Sequence, residues 1–452
     1  MPSYFEQRER ALLGAEYETL YTAPQAVYRG ITVNALRMAP QQLAAAANFA
    51  VTPSPFCSAG LLVQDAAVRL GTHPLHHAGA YYVQEPSASA PCDLLRVQPA
   101  DRVLDTCAAP GGKTSRLAAL LAGQGLLVAN EFMAQRATVL KSNLERMGVA
   151  NAVVLNESTD KLAKTFGQFF NKILVDAPCS GEGMFRKEPQ AVAQHNEGLV
   201  RQCAALGKEI LDNAAQCLAP GGLLVYSTCT FAGEENEQQI AAFLQRHADF
   251  TLVNADLPFG SAGEARRLAD IPCRDIGFTR RIYPCHGGEG QFMALLQKAG
   301  TAPAGSVCGK ERRAVPMPPV CKAFMQQYFP PLTGKKCCVV GDTVYLLPGT
   351  TYPSTDKLHV LRAGVQAGEI VKGRFVPAHH LFMAYGAVCT QRLALDVQDA
   401  RVGAWLHGEE IAANCAENGW VCVTVNGAPL GGGKQNAGRV KNHYPKGLRN
   451  LK

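Results

Sequence analysis

The chain has 452 residues with 47% hydrophobic and 18% charged content, which suits a globular protein of about two to four domains. Its net charge of +7 permits a polyanionic partner without demanding one. No run of about eighteen apolar residues occurs and the N-terminus is charged and polar, so no membrane span or signal peptide is expected and the chain reads as cytoplasmic. Sixteen cysteines without C-x-x-C pairs argue against a zinc site and against a disulfide framework.

In chain order, residues 1 to 95 form a first segment. A helix is expected from Phe5 to Tyr21, a strand from Tyr28 to Arg37, and a helix from Pro40 to Ala50, proline being tolerated at a first helical position. His76 and His77 lack further ligands at metal spacing and read as polar loop residues.

Residues 96 to 298 alternate strand and helix. Strands are expected at Val103–Leu104, Leu126–Glu131, Ala152–Leu155, Lys172–Asp176, Leu223–Ser227 and Gln291–Leu296, and helical periodicity runs from Glu197 to Cys217. Repeated strand–helix units imply an α/β fold, doubly wound and Rossmann-like, with ligands bound beyond the carboxyl ends of the strands. Asp105, Glu131 and Asp176 all close strands and should converge on one crevice. The run Asp105-Thr-Cys-Ala-Ala-Pro-Gly-Gly-Lys-Thr114 is a glycine-lined turn leading into a helix from Lys113 to Leu121. It matches neither the dinucleotide nor the phosphate-loop fingerprint, and a nucleoside with little phosphate, such as S-adenosylmethionine, suits it better. Glu131 follows Lys113 at a spacing that suits a ribose hydroxyl pair.

Two further runs carry the chemistry: Asp176-Ala-Pro-Cys-Ser-Gly181 and Tyr226-Ser-Thr-Cys-Thr230. Each sets a cysteine just past an apolar strand, so Cys179 and Cys229 should share the crevice with Asp176. Two thiols beside a carboxyl group suit an unreactive aromatic carbon. One thiolate adds to C6 of cytosine and makes C5 nucleophilic, the acid serves N3, and a second group assists release. The base must leave its stack to reach such a site.

Residues 299 to 316 read as a linker. Residues 317 to 452 show short strands at Cys338–Val340, Thr343–Leu347, His359–Leu361 and Trp420–Val425, a mainly β region. The terminal run Gly431–Lys452 interleaves basic residues with His443 and Tyr444, a composition suited to phosphate contacts and base stacking.

These motifs together resemble the Sun/Fmu RNA cytosine-C5 methyltransferases, toward their RsmF-like bacterial ribosomal RNA branch. The strand at 29–37, the Gln84-Glu-Pro-Ser loop, the Arg281-Ile-Tyr-Pro segment and the terminal Lys-Asn-His-Tyr-Pro-Lys-Gly-Leu-Arg extend the resemblance over the whole chain. It implies an N-terminal RNA-binding domain, a catalytic domain and a PUA-like C-terminal module. It also implies S-adenosyl-L-methionine as cofactor, with Cys107, Ala108, Ala109, Pro110, Gly111, Gly112 and Lys113 wrapped around it, Glu131 on the ribose and Asp176 between methyl donor and base. Cys229 would be the nucleophile and Cys179 would assist release. Relatives carry an adenine-contacting aspartate after the third strand, where this chain has Leu155-Asn-Glu-Ser158; Asn156 or Ser158 would stand in. Gly431-Gly-Gly-Lys434 falls where an aromatic residue is common. The expectation is a monomeric enzyme acting on 16S ribosomal RNA or the small subunit, against two rivals: a transfer RNA methyltransferase and a non-catalytic RNA-binding assembly factor.

Overall fold

The computed structural model describes residues 1–22, 29–301, 314–413 and 417–450. Residue 28 of the first expected strand and residues 302–313 of the expected linker lie outside them.

The N-terminal segment begins with two helices rather than one, Ser3–Leu13 and Glu16–Tyr21. Gly14, at φ 55, turns the chain between them, a conformation that costs glycine little. The next helix runs Pro40–Ala46 and stops where Ala47 becomes extended, short of the expected Ala50. Strands β1 (Arg29–Val33), β2 (Val51–Pro53), β3 (Gly60–Val63) and β4 (Tyr81–Gln84) form an antiparallel sheet in the order β2-β3-β1-β4. His76 and His77 are not loop residues. They end a short helix, Pro74–His77, and pack against Tyr81 and Tyr444.

The middle of the chain supplies β5 (Arg102–Asp105), β6 (Leu126–Asn130), β7 (Ala152–Leu155), β8 (Phe170–Asp176) and β9 (Leu218–Thr228). It continues with β10 (Phe250–Val253), β11 (Ser261–Ala262), β12 (Arg280–Ile282) and β13 (Gln291–Lys298). The parallel strands run β9-β8-β5-β6-β7, so strand order reverses between β5 and β8. Successive residues feed opposite cores: Leu104, Val128 and Ile173 belong to one cluster, Val103, Leu127 and Leu174 to the other. This near-continuous apolar pattern is what a sheet covered on both faces requires. Helix Glu197–Cys217 buries Val200, Ile210, Leu211 and Ala214 against one face, as its periodicity predicts.

Beyond residue 314 lie β14 (Cys337–Val340), β15 (Thr343–Leu346), β16 (Val360–Ala363), β17 (Val365–Val371) and β18 (Arg374–Pro377). A last sheet holds β19 (Arg392–Leu395), β20 (Ile411–Ala412), β21 (Gly419–Val425), β22 (Ala428–Asn436) and β23 (Arg439–Asn442), ordered β19-β21-β22-β23-β20. Two features tie this region to the rest. β16 pairs antiparallel with β7 and so becomes an edge strand of the central sheet. Ile31, Leu43, Leu75 and Tyr81 of the first segment share one core with Trp405, Val421, Val423 and Val440 of the last sheet. Tyr444, expected among base-stacking residues, is buried in that core with its hydroxyl 3.1 Å from His77 Nδ1. Lys434, Arg439 and Lys441 stay exposed on β22 and β23, with Lys434 and Lys441 paired across the two strands.

Among the described residues no helix is long and apolar enough to cross a membrane. Nor do they contain a group of three or more His, Cys, Asp or Glu side chains able to hold a metal ion.

Candidate active site

The crevice opens at the reversal point between β5 and β8, where doubly wound sheets bind ligands. Asp105 ends β5, is 1% exposed, and accepts a 2.8 Å bond from the Thr114 hydroxyl. Its other oxygen has no protein partner, and burial raises its pKa to about 7. Thr114 also donates to the Ala108 carbonyl at 3.0 Å, which ties the turn back onto its own helix, Gly112–Leu120. Asn143 and Arg136 hold the outer side of the turn through the carbonyls of Pro110 and Ala109. Gly111 sits at φ 115, where a side chain would be strained. At Gly112 a Cβ would fall 2.2 Å from Gln84 Oε1 and 3.1 Å from the Tyr82 ring, so β4 side chains pack directly on the turn. The N-terminal segment is thus one wall of the site, which the motif spacing alone did not reveal.

A cavity of about 320 Å³ lies inside this wall. It is bounded by Tyr82–Glu85, by Cys107–Pro110 with Gly112 and Lys113, by Asp176 and Cys229, and by Met184 and Glu289–Gln291. Burial pushes the Cys107 thiol to about 12, so it lines the cavity as a neutral group. Asp176 accepts the Ser227 hydroxyl at 2.7 Å on one oxygen and the Lys113 ammonium at 2.8 Å on the other. Burial opposes the charge on Lys113, but the Asp176 carboxylate outweighs it and keeps the ammonium protonated.

Cys179 and Cys229, from the neighbouring parallel strands β8 and β9, bring their sulfurs to 3.4 Å. The hydrogen bond to Cys229, then burial, pushes the Cys179 thiol well above the ordinary range. Cys179 therefore keeps its proton and can donate it toward Cys229. The two cysteine turns are bound together by groups that motif reading missed. Gly183 N–H donates to the Cys229 carbonyl at 2.8 Å. Glu182 accepts the Phe231 N–H at 2.9 Å, His195 Nε2 at 2.8 Å, and both prongs of Arg8 at 2.9 and 2.8 Å. Despite full burial, His195 and Arg8 hold the Glu182 carboxyl at about 2. Glu235 accepts the Ser180 N–H and hydroxyl at 2.9 and 2.5 Å, and burial lifts it to about 7.

Glu131 follows β6, is 3% exposed, and accepts the Met133 N–H at 2.9 Å on one oxygen. Its second oxygen is buried without a hydrogen-bond partner, with Arg136 at 3.5 Å. Ser158 does not line the cavity; its hydroxyl bonds Asp160 and it starts helix Thr159–Phe166. Asn156 is likewise committed, donating to the Glu131 and Phe132 carbonyls at 2.8 and 2.7 Å. Asn156 thus ties the ends of β6 and β7 together, while the Ser158 hydroxyl bonds within the start of its own helix.

A doubly wound sheet with a glycine cradle at its reversal point and an acid after the second strand is the arrangement that binds a nucleoside cofactor such as S-adenosyl-L-methionine beyond the strand ends. The residues suit that cofactor: Glu131, although outside the cavity lining, keeps a buried oxygen that lacks a hydrogen bond, one that a ribose hydroxyl could supply.

The family model for 16S rRNA methyltransferase RsmB/F matches residues 92–297. Models for the RsmF N-terminal domain, first C-terminal domain and PUA domain match 1–86, 323–385 and 392–450. Ribosomal RNA small subunit methyltransferase F of Vibrio vulnificus is 30% identical over 440 residues, covering 94% of this chain and 92% of the relative. Its counterpart in Shewanella loihica is 31% identical over 413 residues, covering 88% and 83%. A methyltransferase homolog solved from Pyrococcus horikoshii superposes with TM-score 0.58 at 29% identity, covering 65% of this chain and 94% of that one. The chain belongs to the RsmF family of ribosomal RNA small subunit methyltransferases.

Proposed function

We propose that this chain methylates C5 of cytosine in 16S ribosomal RNA through a covalent bond between Cys229 and C6 of the target base. The observation that carries this reading is the 3.4 Å approach of Cys179 to Cys229, which lines the cavity together with Asp176 and the glycine cradle. When bound, S-adenosyl-L-methionine supplies an electrophilic methyl group, with the Cys107–Lys113 turn, Glu131 and Asp176 holding it. The Cys229 thiolate adds to C6 as N3 takes a proton, which the Lys113 ammonium passes on through the Asp176 carboxylate that Ser227 orients. C5, now the nucleophilic end of an enamine, takes the methyl group. Solvent water takes the C5 proton, the C6–S bond breaks with its electron pair on Cys229, and N3 returns its proton to the Asp176–Lys113 pair, which restores the aromatic ring. Cys179 keeps its proton and hydrogen-bonds the departing sulfur, which stabilises the Cys229 thiolate as the bond breaks and disfavours re-addition.

The division into an RNA-binding unit over 1–95, a catalytic unit over 96–298 and an RNA-binding region over 317–452 belongs to the same proposal, as does a monomer working in the cytoplasm. Exposed Lys434, Arg439 and Lys441 are placed to contact phosphates. The test is methyl transfer from labelled cofactor to 16S rRNA, followed by bisulfite mapping. A single class of protected cytosines in 16S rRNA is expected. Label in transfer RNA alone would overturn the substrate, and no label in any RNA would favour an assembly factor.

A further inference from the structure

Where β9 pairs with β13, Thr228 lies opposite Phe292. Cys229 and Gln291 are the next residues on the two sides just beyond that last pair. Both line the cavity. Gln291 is 2% exposed, yet its Nε2 has no hydrogen-bond partner. Two residues earlier, Glu289 is 7% exposed and its Oε2 likewise lacks one. Arg186 stands 3.5 Å from that oxygen and Lys187 3.7 Å from the other, ion pairs too long to serve as hydrogen bonds.

The segment between them is rigid. The Glu289 N–H donates to Glu85 at 3.1 Å. At Gly290, φ 148, a Cβ would meet the Phe231 ring at 2.6 Å and Gly183 Cα at 3.0 Å. A buried polar group without a partner costs about 1–3 kcal/mol, so a donor and an acceptor left unpaired together beside the reacting sulfur point to a ligand that satisfies both. Cytosine presents an amine donor at C4 and acceptors at N3 and O2. Uracil presents an acceptor at C4, which a carboxylate repels.

We propose that Glu289 and Gln291 read the edge of the extruded base, with the Glu289 carboxylate accepting the C4 amine and the Gln291 amide donating to O2. The inference rests on the cytosine-C5 reading and adds the residues that discriminate cytosine from uracil. The Gln291 N–H also draws electron density toward O2 as Cys229 adds to C6, which makes it a catalytic residue in its own right.

The test uses 16S rRNA transcripts carrying either cytidine or uridine at the mapped target, the full-length enzyme, and labelled cofactor. Gln291→Met is expected to lower kcat on cytidine about 10²-fold with KM changed far less. Glu289→Gln, whose amide can face either C4 group, is expected to lower kcat/KM on cytidine roughly tenfold and to produce 5-methyluridine on the uridine transcript. Titration with S-adenosylhomocysteine should give wild-type affinity for both variants, which also shows that they fold. Weakened S-adenosylhomocysteine binding, or unchanged kcat, KM and base preference while the wild type methylates cytidine, overturns the inference. A wild type that leaves the cytidine transcript unmethylated sinks the parent reading instead.

Discussion

Arg8 and Glu182 are 174 residues apart and meet in a two-pronged ion pair, with Glu182 on the turn that follows Cys179. Glu182 also accepts the Phe231 N–H at 2.9 Å, so the first helix of the chain bears on the turn that carries Cys229. Removing one partner of a buried pair leaves the other uncompensated, at a cost of about 3 kcal/mol. Glu182→Gln is expected to lower the urea midpoint and to reduce kcat more than it weakens S-adenosylhomocysteine binding. A variant as stable and as active as the wild type would show that the helix merely covers the site.

The two sulfurs have different assignments. Cys229→Ala should abolish methyl transfer. Cys179→Ala should leave addition intact and slow release, so a protein–RNA adduct resistant to denaturant accumulates with time. Gel electrophoresis of denatured reaction mixtures reads both outcomes; normal turnover in Cys179→Ala with no shifted band removes its release role.

Asp176 holds its place through Ser227 and Lys113. Asp176→Asn keeps the shape but not the acid, and kcat should fall by roughly 10²–10⁴-fold. Single-turnover methyl transfer on 16S rRNA would show this, with the adduct from Cys179→Ala suppressed in the double variant.

Acid should loosen the core shared by the first segment and the last sheet. Burial lowers His73 to about 4 and, with Arg146 adding repulsion, His76 to about 3 and His77 to about 4. Burial and then Arg37 lower His379 to about 4. Because each native pKa lies below the unfolded value, the unfolded chain takes up protons first as pH falls. Stability from these neutral histidines is therefore complete above about pH 6.5 and is lost on the way down to about pH 4. His77→Gln should remove about 1–2 kcal/mol of that loss at pH 5, measured as a flatter dependence of unfolding midpoint on pH.

The three glycines at 431–433 are a packing device. A Cβ at Gly432 would fall 2.3 Å from the Phe382 ring, and one at Gly433 would meet Val440 at 2.4 Å and Trp405 at 2.9 Å. Aromatic rings from elsewhere thus lie on the bare backbone of this strand. Gly432→Ala should destabilise the chain by about 1–3 kcal/mol, and Phe382→Leu in the same chain should recover part of that. Additive losses in denaturant titrations would contradict this.

The strand-closing acids Asp105 and Asp176, the glycine turn, Cys179 and Cys229 were legible from residue order, because a strand tip and the turn after it are decided within about ten residues of local pattern. The break at Gly14 and the early end of the third helix were not, since helical periodicity runs on through a glycine and two alanines alike. Ser158 and Asn156 were misleading for a different reason: spacing shows where a polar residue falls, not which backbone groups already claim it. Partner choice between distant segments belonged to packing alone. Gln84 against Gly112, Arg8 on Glu182, β16 on the edge of β7, Tyr444 under His77 and Gln291 with Cys229 in one cavity lining all join stretches that local pattern leaves independent. Which surfaces exclude water together is settled only when the whole chain has collapsed, and that is the information one-dimensional order does not carry.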